Sequence, residues 1–200
     1  NKMLSAQLQF KEQELNYLKK QIHPHFLFNT LNTIYGFALK QSEHTPDIIL
    51  KLSNLLDYIL YQVEKPRVSL SEEVLHIKEY IELEKIRFED TLKVIFTAGA
   101  IDEKIEVAPM LLIPFVENAF KHVSHFTEKP NEISIRLTKV NDTLEFTVIN
   151  STEGAEKNES GGIGLKNVTR RLDLLYGDRY KLEIKPQVEV FNVTLEIPFL

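Results

Sequence analysis

Two apolar seams at helical spacing, joined by a short turn, constrain this chain more than any other feature. Leu4, Leu8, Leu15, Leu18, Ile22 and His25 fall at intervals of four, seven, three, four and three. That spacing is the signature of a coiled-coil-like helical face, here flanked by Gln, Lys and Glu. It predicts one long helix over residues 3–40. Pro24 cannot donate to the carbonyl of Lys20, so a kink is expected just before His25. The turn Ser42-Glu43-His44-Thr45-Pro46 ends this helix. A second helix is expected from about Pro46 to Tyr61, with Ile49, Leu52, Leu55, Leu56, Ile59 and Leu60 as its apolar face. Such a hairpin cannot bury both seams by itself, which predicts a four-helix dimer.

Glu64-Lys65-Pro66 reads as a linker, and the periodicity changes beyond it. Ser69 and Glu72 have the spacing of a capping box that starts a helix reaching about Phe88. A strand near 92–98, a helix near 109–122 and strands near 132–140 and 143–150 follow. Residues 151–162 are rich in Ser, Glu and Gly without periodicity and read as a loop. A helix near 164–176 and strands near 180–185 and 189–197 close the chain. The expected fold class is α+β. Residues 1–64 form a helical hairpin that builds a dimeric four-helix bundle, and residues 65–200 form an α/β sandwich with mostly antiparallel hairpins.

Composition narrows the function. The chain has 200 residues, 43% of them hydrophobic, and a net charge of −5 with its basic residues scattered. That is no basic stripe, so direct nucleic-acid binding is not expected. The absence of cysteine rules out disulfides and thiolate metal sites and fits a reducing compartment. No apolar run approaches the roughly 18 residues of a membrane span, so no membrane contact is expected within this stretch. Opening on Asn1, the chain reads as a fragment of something longer, compatible with an anchor upstream.

Three clusters carry chemistry. The first is Pro24-His25-Phe26-Leu27-Phe28-Asn29, which places an imidazole and a carboxamide one turn apart on one helical face. On these residues alone, a core histidine satisfied by a carbonyl is the other reading. His23 and His25 make a poor metal pair, because positions i and i+2 diverge on a helix. The second is the polar stripe Glu117, Asn118, Lys121 and His122 on a largely apolar helix. A carboxamide oxygen suits Mg²⁺, and an ammonium one turn on suits phosphate; a solvated helix face is the alternative. The third is Gly161-Gly162-Ile163-Gly164-Leu165-Lys166-Asn167, whose glycines open a helix start to an anion. Neither a dinucleotide GxGxxG unit nor a P-loop is present.

The order and spacing of these clusters resemble the LytS-like sensor histidine kinases. The segment His25-Phe26-Leu27-Phe28-Asn29-x-Leu31-Asn32 is similar to that group's phosphoacceptor motif. Tyr80-Ile81-Glu82-Leu83-Glu84-Lys85-Ile86-Arg87-Phe88 is similar as well. Glu117-Asn118-Ala119-x-Lys121-His122 resembles its N box, and Gly162-x-Gly164-Leu165-x-Asn167 with Arg170-Arg171-Leu172 resembles its second glycine box. The resemblance covers nearly all of the chain from about residue 15.

That resemblance implies a Bergerat-type (GHKL) ATP-binding sandwich over residues 65–200 and a dimerisation and phosphotransfer hairpin over 1–64. His25 would be the phosphoacceptor, with Asn29 assisting a phosphatase reaction. Asn118 would hold Mg²⁺, Lys121 and His122 would face the phosphates or ribose, and Asn150 would accept from adenine. Gly162, Gly164, Leu165 and Asn167 would complete the nucleotide site beneath an ATP lid at 151–161. The implied activity is ATP-dependent autophosphorylation and transfer to the aspartate of a response regulator, of the type carrying a LytTR DNA-binding domain. The whole protein would be an inner-membrane sensor with this part in the cytoplasm, a signal entering along the Leu4–Leu18 seam.

Three departures from the pattern stand out. Phe26 follows the histidine where the commoner histidine kinases carry an acidic residue. Pro114 stands where the hydrolases of this fold place a catalytic glutamate, which argues against a free-standing ATPase. Asn150-Ser151-Thr152-Glu153-Gly154 replaces the usual Asp-x-Gly-x-Gly. A non-catalytic dimeric signalling module with weak or no ATP binding is therefore the alternative reading.

Overall fold

A computed structural model describes residues 24–61, 65–99, 104–123, 131–152 and 163–199. The Leu4–Ile22 seam, His23 and most of the 151–162 loop lie outside the described residues. The helical hairpin is α1 (Pro24–Leu39) and α2 (Thr45–Tyr61). Its turn is closed by a Schellman motif: Ser42 N–H donates to Phe37 O and Gln41 N–H to Ala38 O, both at 3.0 Å. Gln41 takes the left-handed conformation that this motif requires, with φ 52°.

Helix α2 is turned slightly from the face that spacing predicts. Ile48, Leu52, Leu55, Tyr58 and Ile59 are buried, whereas Ile49 and Leu60 are exposed. The cause is α3 (Leu70–Phe88), which packs against α2 and α1 within the same chain. Part of the hairpin's apolar surface is thus covered without a second copy. Lys51 on α2 also bridges Asp47 at 2.7 Å and Glu82 of α3 at 2.6 Å.

The capping box at the start of α3 is present. Ser69 N–H donates to Glu72 Oε2 at 2.9 Å, and Glu72 N–H donates to Ser69 Oγ at 3.2 Å. The bond from Ser69 N–H, and after it one from Ser69 Oγ to Glu72 Oε2 at 3.0 Å, hold the Glu72 carboxyl below its usual range. A short antiparallel pair, β1 (Val68–Ser69) with β3 (Glu106–Val107), fixes the chain before α3; spacing gave no sign of it.

The main sheet has the order β2-β4-β5-β7-β6, from β2 (Leu92–Ala98), β4 (Asn131–Val140), β5 (Thr143–Ser151), β6 (Lys181–Pro186) and β7 (Val190–Pro198). Only β2 with β4 is parallel; the other pairs are antiparallel. Strict alternation buries Ile133, Ile135, Leu137, Leu144, Phe146, Val148, Val193, Leu195 and Ile197 on one face. Helices α4 (Ile113–His122) and α5 (Ile163–Tyr176) pack against each other, and α4 lies on β4 and β5. Gly177, at φ 57°, ends α5 where a side chain would be strained.

The expected helix over 109–122 is shorter than its apolar run. Residues 109–112 form a bend, with Met110 left-handed at φ 54°, and the helix begins at Ile113. Pro109 and Pro114 bracket that bend. Ser69→Ala is expected to cost about 1 kcal/mol by loss of the cap, read as a lower midpoint in urea unfolding with an unchanged slope.

Candidate active site

Strand alternation decides where Asn150 points. It continues the Leu144, Phe146, Val148 row of β5, so its carboxamide enters the core face beneath the helices. Its Nδ2 donates to Ser151 O at 3.0 Å. Its Oδ1 is buried and meets no hydrogen-bond partner among the described residues. A buried acceptor left unpaired costs about 1–3 kcal/mol, which a ligand donor would recover.

Asn118 and Glu117 sit half-buried on α4, with Lys121 and His122 exposed at its last turn. Val116, Ala119 and Phe120 on the opposite side are core, so the stripe is the solvent edge of a packed helix. Partial desolvation of the ring, and next the Lys121 ammonium, hold His122 below its ordinary value. Among the described residues no group of three or more His, Asp and Glu gathers to hold a metal ion. The carboxamide oxygen of Asn118 is a hard ligand of the kind Mg²⁺ takes together with phosphate oxygens.

The start of α5 carries Gly164, exposed, with nothing within 4 Å of a Cβ built there. The first turn of α5 leaves its N–H groups without partners in the helix. Leu165 faces inward at 3% exposure, anchoring that turn, and Asn167 is half-buried. Gly162 lies outside the described residues. The α4–α5 contact places the polar stripe and the glycine start on neighbouring helices, and α4 also touches the strand that bears Asn150.

Position 25 lies on α1, one turn before Asn29, whose carbonyl accepts from Thr33 Oγ1 at 3.0 Å. Phe26 stacks on Tyr80 of α3 with centroids 4.8 Å apart. Asn29 and Thr33 then line a narrow crevice with Glu84 and Arg87. Glu84 is 3% exposed, accepts from Tyr80 Oη at 3.1 Å and pairs with Arg87 Nη2 at 2.6 Å. Burial pushes its carboxyl up, against the pull of Arg87. Spacing alone assigned no role to Glu84 or to Glu73. Both fall in the three-and-four register of Leu70, Val74, Ile77 and Ile81, which does not say what donors would satisfy them there.

Comparison with known proteins fits this arrangement. The histidine kinase family model matches residues 13–92. Sensor protein LytS of Staphylococcus saprophyticus is 30% identical over 202 residues, taking in 94% of this chain and 34% of that protein. This chain belongs to the LytS-like sensor histidine kinases. Another member, sensor histidine kinase YpdA of Escherichia coli, is 33% identical over 190 residues, 88% of this chain and 33% of that protein. The chain thus spans about a third of the length of these relatives. Among solved structures, the histidine kinase domain of a blue-light-activated kinase from Erythrobacter litoralis shares the fold. Its TM-score is 0.54 at 16% identity over 95% of both chains. Among the described residues no helix is long and apolar enough to cross a membrane.

Two outcomes test the local electrostatics. In a titration followed by NMR, His122 should lose its proton below about 6.5, and Lys121→Ala should raise the midpoint, because a neighbouring positive charge is removed. Arg87→Ala should cost about 1–3 kcal/mol by stranding the buried Glu84 carboxylate, read in thermal melting.

Proposed function

We propose that the chain is the kinase core of a two-component sensor: residues 1–64 the dimerisation and phosphotransfer hairpin, residues 65–200 the ATP-binding domain. The observation that carries this reading over a silent module is the unpaired, buried Oδ1 of Asn150. Adenine's exocyclic amine is a donor, and a carboxamide oxygen accepts it as a carboxylate would. Its Nδ2 is already engaged on Ser151 O, so the acceptor side is the one left for a ligand.

In this reading Asn118 holds Mg²⁺ through its carboxamide oxygen, and the ion neutralises charge on the phosphates when bound. Lys121 and His122 face the phosphates or ribose. Gly162, Gly164 and Leu165 offer backbone N–H groups, Asn167 completes the turn, and residues 151–161 form the lid. An imidazole nitrogen of His25 attacks the γ-phosphorus of ATP. The N–P bond forms, the bond to the bridging oxygen breaks, ADP departs and the imidazole proton is lost to solvent or a base. Positioning and charge neutralisation carry most of such a reaction. The phosphoryl group then passes to a response-regulator aspartate, the regulator being of the LytTR type, and Asn29 orients water when that partner is dephosphorylated. The solved full-length ShkA, similar in fold at a TM-score of 0.51, was captured with AMPPNP.

Dimerisation has its own support. Phe28, Leu31, Tyr35 and Leu39 recur at three and four residues along α1 and are 46–67% exposed. Leu50 and Tyr61 of α2 are exposed as well. A second copy covering this stripe yields the four-helix bundle. The whole protein is then a membrane sensor with this portion in the cytoplasm.

Incubation with γ-labelled ATP and Mg²⁺ should give acid-labile label on the protein, absent in His25→Gln. Nucleotide binding without label, or neither, would support the silent module, and free phosphate without protein label a hydrolase. Asn150→Ala should weaken nucleotide binding about tenfold, equivalent to about 1.4 kcal/mol. Asn29→Ala should spare autophosphorylation and lower phosphatase activity; equal loss of both would sink that role. Leu31→Glu with Tyr35→Glu should shift sedimentation from dimer to monomer.

A further inference from the structure

Glu73, the fourth residue of α3, is wholly buried at 0% exposure. Three donors converge on its carboxylate. Met110 N–H donates to Oε2 and Leu112 N–H to Oε1, each at 2.9 Å. The Tyr58 hydroxyl donates to Oε2 through a short hydrogen bond. Tyr58 belongs to hairpin helix α2, is 1% exposed, and has its ring stacked on His76 with centroids 3.7 Å apart. Burial, and next the Glu73 charge, push the Tyr58 phenol far above its ordinary value, so it stays a donor.

The other side of Met110 is held too. Its carbonyl accepts from Arg171 Nη1 at 3.3 Å, and Arg171 is itself buried on α5. Met110 is thus a left-handed, non-glycine residue, φ 54°, clamped at both its backbone polar groups. Such a conformation costs about 1–3 kcal/mol and persists only where its surroundings impose it. The bend that contains Met110 runs directly into α4, which bears Asn118. Arg171 lies eight residues along α5 from Ile163, about 12 Å at the rise of a helix, so one unbroken helix links the arginine to Gly164.

From this geometry we infer that Glu73 is a positioning residue of the nucleotide site, and that Tyr58–Glu73–Met110–Arg171 couples the phosphotransfer hairpin to the helices that would hold ATP. The inference rests on the kinase reading above for the identity of the ligand, and on the hydrogen bonds alone for the path. Displacing α2 removes a donor from Glu73, loosens its hold on the 110–112 bend and releases strain stored at Met110. Both α4 and α5 take up that change. By reciprocity, nucleotide bound at those helices favours the docked hairpin. A core network that merely stabilises would lack this directional effect.

The deciding variant is Tyr58→Phe, which deletes one hydroxyl on the hairpin and touches no residue assigned to nucleotide. Leu52→Ala on the same helix is the control, costing stability through packing alone. With Mg²⁺ and AMPPNP, Tyr58→Phe should weaken binding about fivefold while Leu52→Ala changes it less than twofold. Unchanged binding in Tyr58→Phe, or an equal change in Leu52→Ala, would overturn the coupling. Failure of the unmodified chain to bind AMPPNP would instead count against the kinase reading. The nucleotide-free chain then decides the path by itself. Tyr58→Phe should speed amide hydrogen exchange at Met110, Leu112 and the first turns of α5 at least threefold, and no change in α5 would overturn the proposal. Glu73→Gln, whose amide offers one acceptor oxygen instead of two, should show the larger effect in both assays.

Discussion

A carboxyl group with no solvent contact needs hydrogen-bond donors for its oxygens. Glu73 meets that requirement by drawing three separate parts of the chain to one point: α2, the 110–112 bend and, through Met110, α5. Much of the architecture follows from that convergence. The bend carries a left-handed residue, and two of its N–H groups, at Met110 and Leu112, face the same carboxyl group. Helix α4 starts at Ile113, directly after that bend.

Helix α3 is the shared wall of the molecule. One side carries Ile77 and Ile81 into the core, and Tyr80 meets both Phe26 of α1 and Phe120 of α4. The hairpin and the sheet therefore share a single contiguous apolar cluster. That arrangement leaves α1 with an exposed apolar stripe on its outer side and a polar crevice on its inner side. Asn29 and Thr33 of α1 meet the buried Glu84–Arg87 pair of α3 at that crevice.

The candidate site residues share one physical logic: polar groups placed where an apolar pattern would otherwise continue. Asn150 ends a row of Leu144, Phe146 and Val148; Asn118 and Lys121 edge a helix whose Phe115, Val116, Ala119 and Phe120 are core. Each is legible from its residue type and its position in the period. At the start of α5, nothing among the described residues lies within 4 Å of a Cβ placed on Gly164.

Strand alternation, the capping box at Ser69, the hairpin turn and the order of motifs were all determined by the sequence, because each depends on neighbours within a few residues. The family followed from that order. Only the tertiary structure decided which face of α2 is buried, where α4 begins, and that Glu73 and Glu84 lie inside. Those outcomes depend on partners far away in the chain: Tyr58 and Met110 for Glu73, and Phe26 with Asn29 beside Glu84. A glutamate in an apolar register looks like a flaw in the pattern until the donors that neutralise it are seen in space, and no local period carries that information.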